Sequence, residues 1–314
     1  MTKRFCFPLL FIIASTVCSF SQSQIYSSNI VSAPTSRTVL DLTNLNWKLW
    51  LDTAAKWAND TLYAPPVSLE RLPINIPSGG WNAFMKNGKT IRIPATVEQL
   101  YWGANGNSHG VAGNYVGVSW FTTVFKIPVS TKGKRIVLQF ESVRYRAEVF
   151  VNQKLVGYDL VNGTPFELDI SPYVDYDKPN QLAVRITDPN GNFDWRDSQN
   201  FMWGKYRTNP THGFGGITGK VKLITTENVY TSDVFVKNKP KANEIDIEIT
   251  SQNELSNAVN GRFVLEIKEA KTKGKVVYRK EYNNITLSLG TSTNHFSIHV
   301  PEAKLWSVDT PNLY

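Results

Sequence analysis

From Ser119 to Ile170 the chain alternates apolar and polar residues with a period of two, the mark of half-buried strands. Phe121, Phe125 and Ile127 lie on one side of the first run, and Pro128 removes a ladder donor and ends it. Ile136, Leu138 and Phe140 form the inner side of a second run, and Ala147, Val149 and Val151 that of a third. Asn152-Gln153 stands where a two-residue hairpin turn belongs, with Lys154-Leu155-Val156-Gly157 returning from it. Thr164 to Ile170 adds another run, and Gln181 to Thr187 the next, with Leu182, Val184 and Ile186 inward. Thr218 to Ile224 closes the series, and no segment carries a helical period.

Near Glu227 the pattern changes. Eight of the nine tryptophans precede it and only Trp306 follows. The alternation is cleaner beyond this point, with Ile245, Ile247 and Ile249, then Phe263, Leu265 and Ile267, then Phe296, Ile298 and Val300. Six strand-like runs are expected between Val229 and Val300, at 229–236, 244–250, 262–269, 275–281, 285–289 and 295–300. Many short strands separated by turn signals predict an all-β chain of two sandwiches, the second of immunoglobulin-like type without a cysteine pair. The expected division is 1–21 export signal, 22–36 flexible lead-in, 37–226 first domain and 227–314 second domain.

Four stretches in this order and spacing resemble the N-terminal sugar-binding domain of glycoside hydrolase family 2. They are Ser119-Trp120-Phe121, Val151-Asn152-Gln153-Lys154-Leu155-Val156-Gly157, Thr164-Pro165-Phe166-Glu167-Leu168-Asp169-Ile170 and Gly215-Gly216-Ile217. Leu45 to Trp50 resembles the family's opening strand, and Leu305 to Tyr314 resembles a segment that leads into a further strand of the second sandwich. The resemblance implies a jelly roll, galactose-binding-like, followed by an immunoglobulin-like sandwich that is incomplete at its C-terminal end. It also implies a parent enzyme of β-galactosidase, β-mannosidase or β-glucuronidase type. The family usually has Asn-Gly at the hairpin where this chain has Asn152-Gln153. Glutamine costs more than glycine at positive φ, which points to a different turn type here.

The N-terminus does not read as part of the fold. Lys3 and Arg4 form a positive n-region, Phe5 to Cys18 an apolar h-region, and Ser19-Phe20-Ser21 a cleavage site, which predicts export to the periplasm or the medium. Cys18 raises a lipoprotein alternative, against which Val17 is too bulky for a good lipid-attachment motif. Both cysteines, Cys6 and Cys18, lie in this segment, so the mature chain is expected to have no disulfide. Loss of Lys3 and Arg4 lowers the formal charge from +8 to +6. The remaining basic residues are dispersed among acids, which argues against a nucleic-acid partner and for a solvated surface.

Glycoside hydrolysis normally needs two carboxylates on a rigid scaffold. In the resembled family both are glutamates on a barrel that follows the second sandwich, and no alternating βα pattern occurs here. Glu141, Glu148, Glu167 and Asp169 lie on or beside strands and are expected to face solvent or cap turns, so no catalytic residue is assigned. The expected partners are a carbohydrate and a catalytic barrel C-terminal to this chain.

Two irregular stretches carry sugar-binding chemistry. Asp188 to Gly216 contains Asp194, Trp195, Trp203 and Tyr206, and Gly103 to Gly117 contains His109 and Asn114. An aromatic ring can stack on the apolar C–H face of a sugar while carboxylates and amides bond its hydroxyls. The competing reading is that the aromatics pack beneath a long loop as a satellite cluster. His212 to Gly219 is rich in glycine but precedes a strand rather than a helix, so it is not a phosphate loop. His212 has no second ligand at metal spacing, and neither a cofactor nor a metal is expected. The resembled family often holds Mg²⁺ or Na⁺, on residues largely outside this stretch.

Overall fold

The computed structural model describes residues 37–56, 68–72, 74–101, 115, 117–160, 163–188, 202–203, 206–207 and 214–314. It divides after Thr225 into two compact units, the first Thr38–Thr225.

The first unit is a jelly-roll sandwich. One sheet holds β1 (Thr38–Asp41), β15 (Val221–Thr226), β6 (Arg135–Phe140) and β10 (Phe166–Asp169) in that spatial order. The other runs β3 (Lys89–Ile91), β2 (Trp47–Asp52), β5 (Gly117–Lys126), β11 (Pro179–Asp188), β8 (Arg146–Val151) and β9 (Lys154–Asp159), antiparallel throughout. A small three-stranded sheet of β4 (Ala95–Thr96), β14 (Gly216–Ile217) and β7 (Val143–Arg144) lies beside them, and β12 (Met202–Trp203) pairs with β13 (Tyr206–Arg207). The core between the two large sheets contains the residues expected from the alternation. Phe121, Phe125, Ala147, Val149, Val151, Leu182, Val184 and Ile186 meet Ile136, Leu138 and Phe140 there. Trp47 is fully buried in the same core, its indole N–H donating to the Leu42 carbonyl at 2.9 Å. Two short helices not foreseen from the sequence, α1 (Ala83–Asn87) and α2 (Glu98–Tyr101), flank the six-stranded sheet.

The hairpin corrects the expectation of a different turn. Asn152 and Gln153 have φ of 50° and 69°, and Val151 pairs with Lys154, which is the two-residue form with both central residues at positive φ. Asn152 offsets the backbone cost with its side chain. Its amide donates to the Tyr173 carbonyl at 3.0 Å and to Asn180 Oδ1 at 2.8 Å, and its oxygen accepts from the Gln181 N–H at 3.0 Å.

The expectation that Glu148 faces solvent is also overturned. The outer face of the six-stranded sheet is a second buried layer. Val118, Trp120, Phe150, Leu155 and Ala183 pack there under Leu72 and Phe84, with Trp81 edge-on to Phe150 at 5.2 Å. One row across five strands reads Trp50, Trp120, Arg185, Glu148, Tyr158. Arg185 and Glu148 are both buried and form an ion pair, while Asn75 Nδ2 donates to the other Glu148 oxygen at 2.8 Å. Glu141, by contrast, is part-exposed and pairs with Lys222 at 2.6 Å, and Glu167 and Asp169 are exposed.

The second unit packs a sheet of β16 (Val229–Asn238), β17 (Glu244–Asn253) and β20 (Gly290–His299) against the pair β18 (Val259–Lys268) and β19 (Val276–Leu287). Its core gathers Ile247, Ile249, Phe263, Leu265, Ile267, Ile298 and Val300, as the alternation predicts. Five strands are seen where six runs were expected. The runs at 275–281 and 285–289 are one strand, because Asn283 and Asn284 form a bulge and not a turn. Gly261 pairs with Ile285 and Phe263 with Tyr282, so one extra residue is accommodated on β19, with Asn284 at φ 57°.

Candidate functional site

The register of β5 and β11 sets Asp188, where one singled-out stretch begins, beside Gly117, where the other ends. The strands pair from Pro179 opposite Lys126 to Asp188 opposite Gly117. The chain therefore leads out of Asp188 beside the point where it enters β5. The same end is closed by β14, where Gly216 pairs with Thr96 of β4 and with Arg144 of β7. Gly216 has φ 147°, and a Cβ on it would lie 2.3 Å from the Ala95 carbonyl oxygen, so only glycine fits. This accounts for Gly216 without any phosphate.

The floor at this end is polar and buried. Glu98, at the start of α2, and Asp188, at the end of β11, are both buried carboxylates, and Arg146 and Thr187 are buried beside each other in register. Asp188 packs so closely on Gly215 that a Cβ there would approach its Oδ2 to 3.1 Å. Glu98 Oε1 accepts from the Tyr115 N–H at 3.2 Å. Burial raises the Glu98 carboxyl above the ordinary range, opposed by backbone N–H bonds from Glu98 itself, Tyr115 and Gly215 and by the charge of Arg144. Tyr115 donates its hydroxyl to the Val118 carbonyl at 2.8 Å. Burial pushes this phenol well up, as do the charges of Asp52 and Asp188. Tyr145 is pushed up by burial first, then by Asp188, with Arg144 opposing. Both tyrosines are therefore neutral hydroxyls at physiological pH.

Of the six residues expected to touch sugar, Trp203 and Tyr206 pair across the β12–β13 ladder. His109, Asn114, Asp194 and Trp195 lie outside the described residues. The polar floor of Glu98, Tyr115, Arg144, Tyr145 and Asp188 was missed by sequence reasoning. Its one signal was a carboxylate at the end of the Gln181–Thr187 alternation. Among the described residues no group of three or more His, Cys, Asp or Glu side chains gathers to hold a metal.

Comparison with known proteins follows this architecture. Residues 60–226 match the family model "Glycosyl hydrolases family 2, sugar binding domain", and residues 229–314 match "Glycosyl hydrolases family 2". The chain belongs to glycoside hydrolase family 2. Among its family 2 relatives, a β-glucuronidase of Formosa agariphila is 26% identical over 243 residues, which are 72% of this chain and 24% of the relative. A β-galactosidase of Bacteroides ovatus is 28% identical over 222 residues, 66% of this chain and 23% of the relative. The crystal structure of a Bacteroides uniformis β-glucuronidase superposes with a TM-score of 0.61 at 20% identity, over 88% of this chain and 29% of that one. This family 2 chain thus spans about a quarter of the length of the curated relatives it matches.

Proposed function

We propose that this chain is the non-catalytic N-terminal part of a secreted family 2 glycoside hydrolase. In this reading the jelly roll supports and shapes the substrate site of a catalytic barrel lying C-terminal to it. The observation that carries the reading is the pairing of Asp188 with Gly117. It gives a common origin to the stretch bearing His109 and Asn114 and to the stretch bearing Asp194, Trp195, Trp203 and Tyr206. Aromatic rings with carboxylate, amide and imidazole groups are the chemistry that holds a sugar face and its hydroxyls. β-Galactosides and β-glucuronides are the glycosides favoured, since relatives bearing those names share this region.

The test is turnover. Chromogenic β-galactosides, β-mannosides and β-glucuronides incubated with this chain are expected to give no release above background. Clear turnover, with contaminating enzyme excluded, defeats the non-catalytic assignment.

Export rests on the Lys3-Arg4 n-region and the short apolar run behind it. N-terminal sequencing of protein from the periplasm or medium is expected to begin near Gln22. A chain that still begins at Met1 and stays in the cytoplasm contradicts this.

A further inference from the structure

The second unit carries a pocket of about 420 Å³ that the carbohydrate reading does not use. Ile245 of β17, Ile267 of β18, Val300, Leu305, Trp306 and Tyr314 line it. Its size is that of a small-molecule site, and its lining is mostly apolar. The chain's own bonds hold its walls in place. The Lys304 N–H donates to the Tyr314 hydroxyl at 2.6 Å, and the Asn312 amide to the Leu305 carbonyl at 3.0 Å. The Ala270 N–H donates to the Leu313 carbonyl at 2.8 Å, which fastens this wall beyond the end of β18. The Val300 N–H donates to the carbonyl of Asn243, in the β16–β17 turn, also at 2.8 Å. Walls set in this way spare a ligand the cost of ordering them.

The polar groups decide what fits. The Asn312 amide is spent on the Leu305 and Thr310 carbonyls, and that of Asn243 on the Pro301 carbonyl. Few donors are left for a ring of hydroxyls, so a sugar is a poor match. Three lysines, Lys239, Lys241 and Lys304, line the pocket against a single acid, Glu244, which calls for an anion. Lys239 pairs with Asp246 at 3.5 Å and Lys241 with Glu244 at 2.5 Å. Lys304 is exposed and forms no ion pair among the described residues. Glu269, which feels the charge of Lys304, is taken by Lys271 at 2.9 Å. Trp306 and Tyr314, both half-buried, supply aromatic rings.

We propose that this pocket binds a flat apolar ring system bearing one carboxylate, with the ring against Trp306 and Tyr314 and the carboxylate at Lys304. The site lies wholly within the second unit and does not depend on the carbohydrate reading.

The experiment is an NMR titration of the whole chain with naphthoate, read at the Trp306 indole N–H and at the Lys304 and Ala270 amides. Binding at about 0.1–1 mM is expected, with uncharged naphthylmethanol about threefold or more weaker. Lys304→Glu should weaken naphthoate about tenfold and leave naphthylmethanol within about twofold. Methyl β-glucuronide, a carboxylate without an apolar ring system, should leave Trp306 unmoved. Trp306→Ala should weaken both naphthyl probes. Should that variant fail to fold, Lys304→Glu and the two wild-type titrations decide the matter. No movement at Trp306 up to about 5 mM naphthoate, or equal binding of the two naphthyl probes with Lys304→Glu silent, overturns the proposal. So do Trp306 signals that follow the protein's own concentration and not that of naphthoate, as a second copy seated there would cause.

Discussion

Replacing Glu148 with alanine is expected to cost the jelly roll about 3–5 kcal/mol, the usual penalty for stranding one member of a buried ion pair. The removed carboxylate serves Arg185 and Asn75 from the middle of the six-stranded sheet. Trp120 is Arg185's neighbour in the row, so no water-exposed route lies on that side. A domain stable by about 5–15 kcal/mol loses a large part of its margin in this way. Glu148→Leu combined with Arg185→Met should recover most of the loss, because paired apolar side chains of similar volume often match a buried ion pair. Denaturant unfolding followed by tryptophan fluorescence reports chiefly on this unit, since eight of the nine tryptophans lie in it and only Trp306 in the second. A cost below about 1 kcal/mol for Glu148→Ala would place the pair with exposed salt bridges and contradict the two-layer burial described for this sheet.

The second large effect is a difference between the two units. The second sandwich buries nine apolar side chains in its core among the described residues, whereas 26 do so between the large sheets of the jelly roll. One of its sheets has only two strands, and Ile245, Phe296, Tyr278 and Tyr282 are only partly covered. Each incompletely buried Ile or Phe forgoes part of about 1.5–3 kcal/mol. A strand with a single partner also keeps N–H and C=O groups along one edge. Limited proteolysis of this chain is therefore expected to digest the region after about Glu227 first. Amides of β18 and β19 should exchange at least about tenfold faster than those of β5, β8 and β11. Equal protection of the two units would mean that five strands close the second sandwich as firmly as the jelly roll.

Much of this fold is legible in the period of two. Phe121, Ile136, Val149, Val184, Ile247 and Leu265 are core residues because strand side chains alternate, and alternation needs no knowledge of partners. The same rule fails at Glu148 and Arg185. Alternation says only that they oppose Val149 and Val184; whether that opposite face meets water is decided by residues 69–88, distant in sequence. Trp120, Phe150 and Ala183 on the polar parity were the available warning. The hairpin at Asn152-Gln153 was misjudged because the bonds that hold Asn152 come from Tyr173, Asn180 and Gln181. The bulge at Asn284 looks like a turn in a single strand and becomes visible only against its partner β18. At the candidate site, the sugar-like chemistry of each stretch is local and readable. Their shared origin is a matter of register, Asp188 beside Gly117, and the burial of Glu98 against the Tyr115 N–H shows only in the fold.

The central claim is that this family 2 jelly roll faces carbohydrate with the end where β5 begins and β11 stops. Titration of the whole chain with methyl β-galactoside and methyl β-glucuronide, followed residue by residue by NMR, tests it most directly. The account predicts millimolar binding, about −4 kcal/mol. Amide changes should centre on Tyr101, Tyr115, Asp188, Phe214 and Gly215, and should weaken in Trp195→Ala and Trp203→Ala. Changes centred on β16 to β20, changes indifferent to both substitutions, or no response to either glycoside would contradict it.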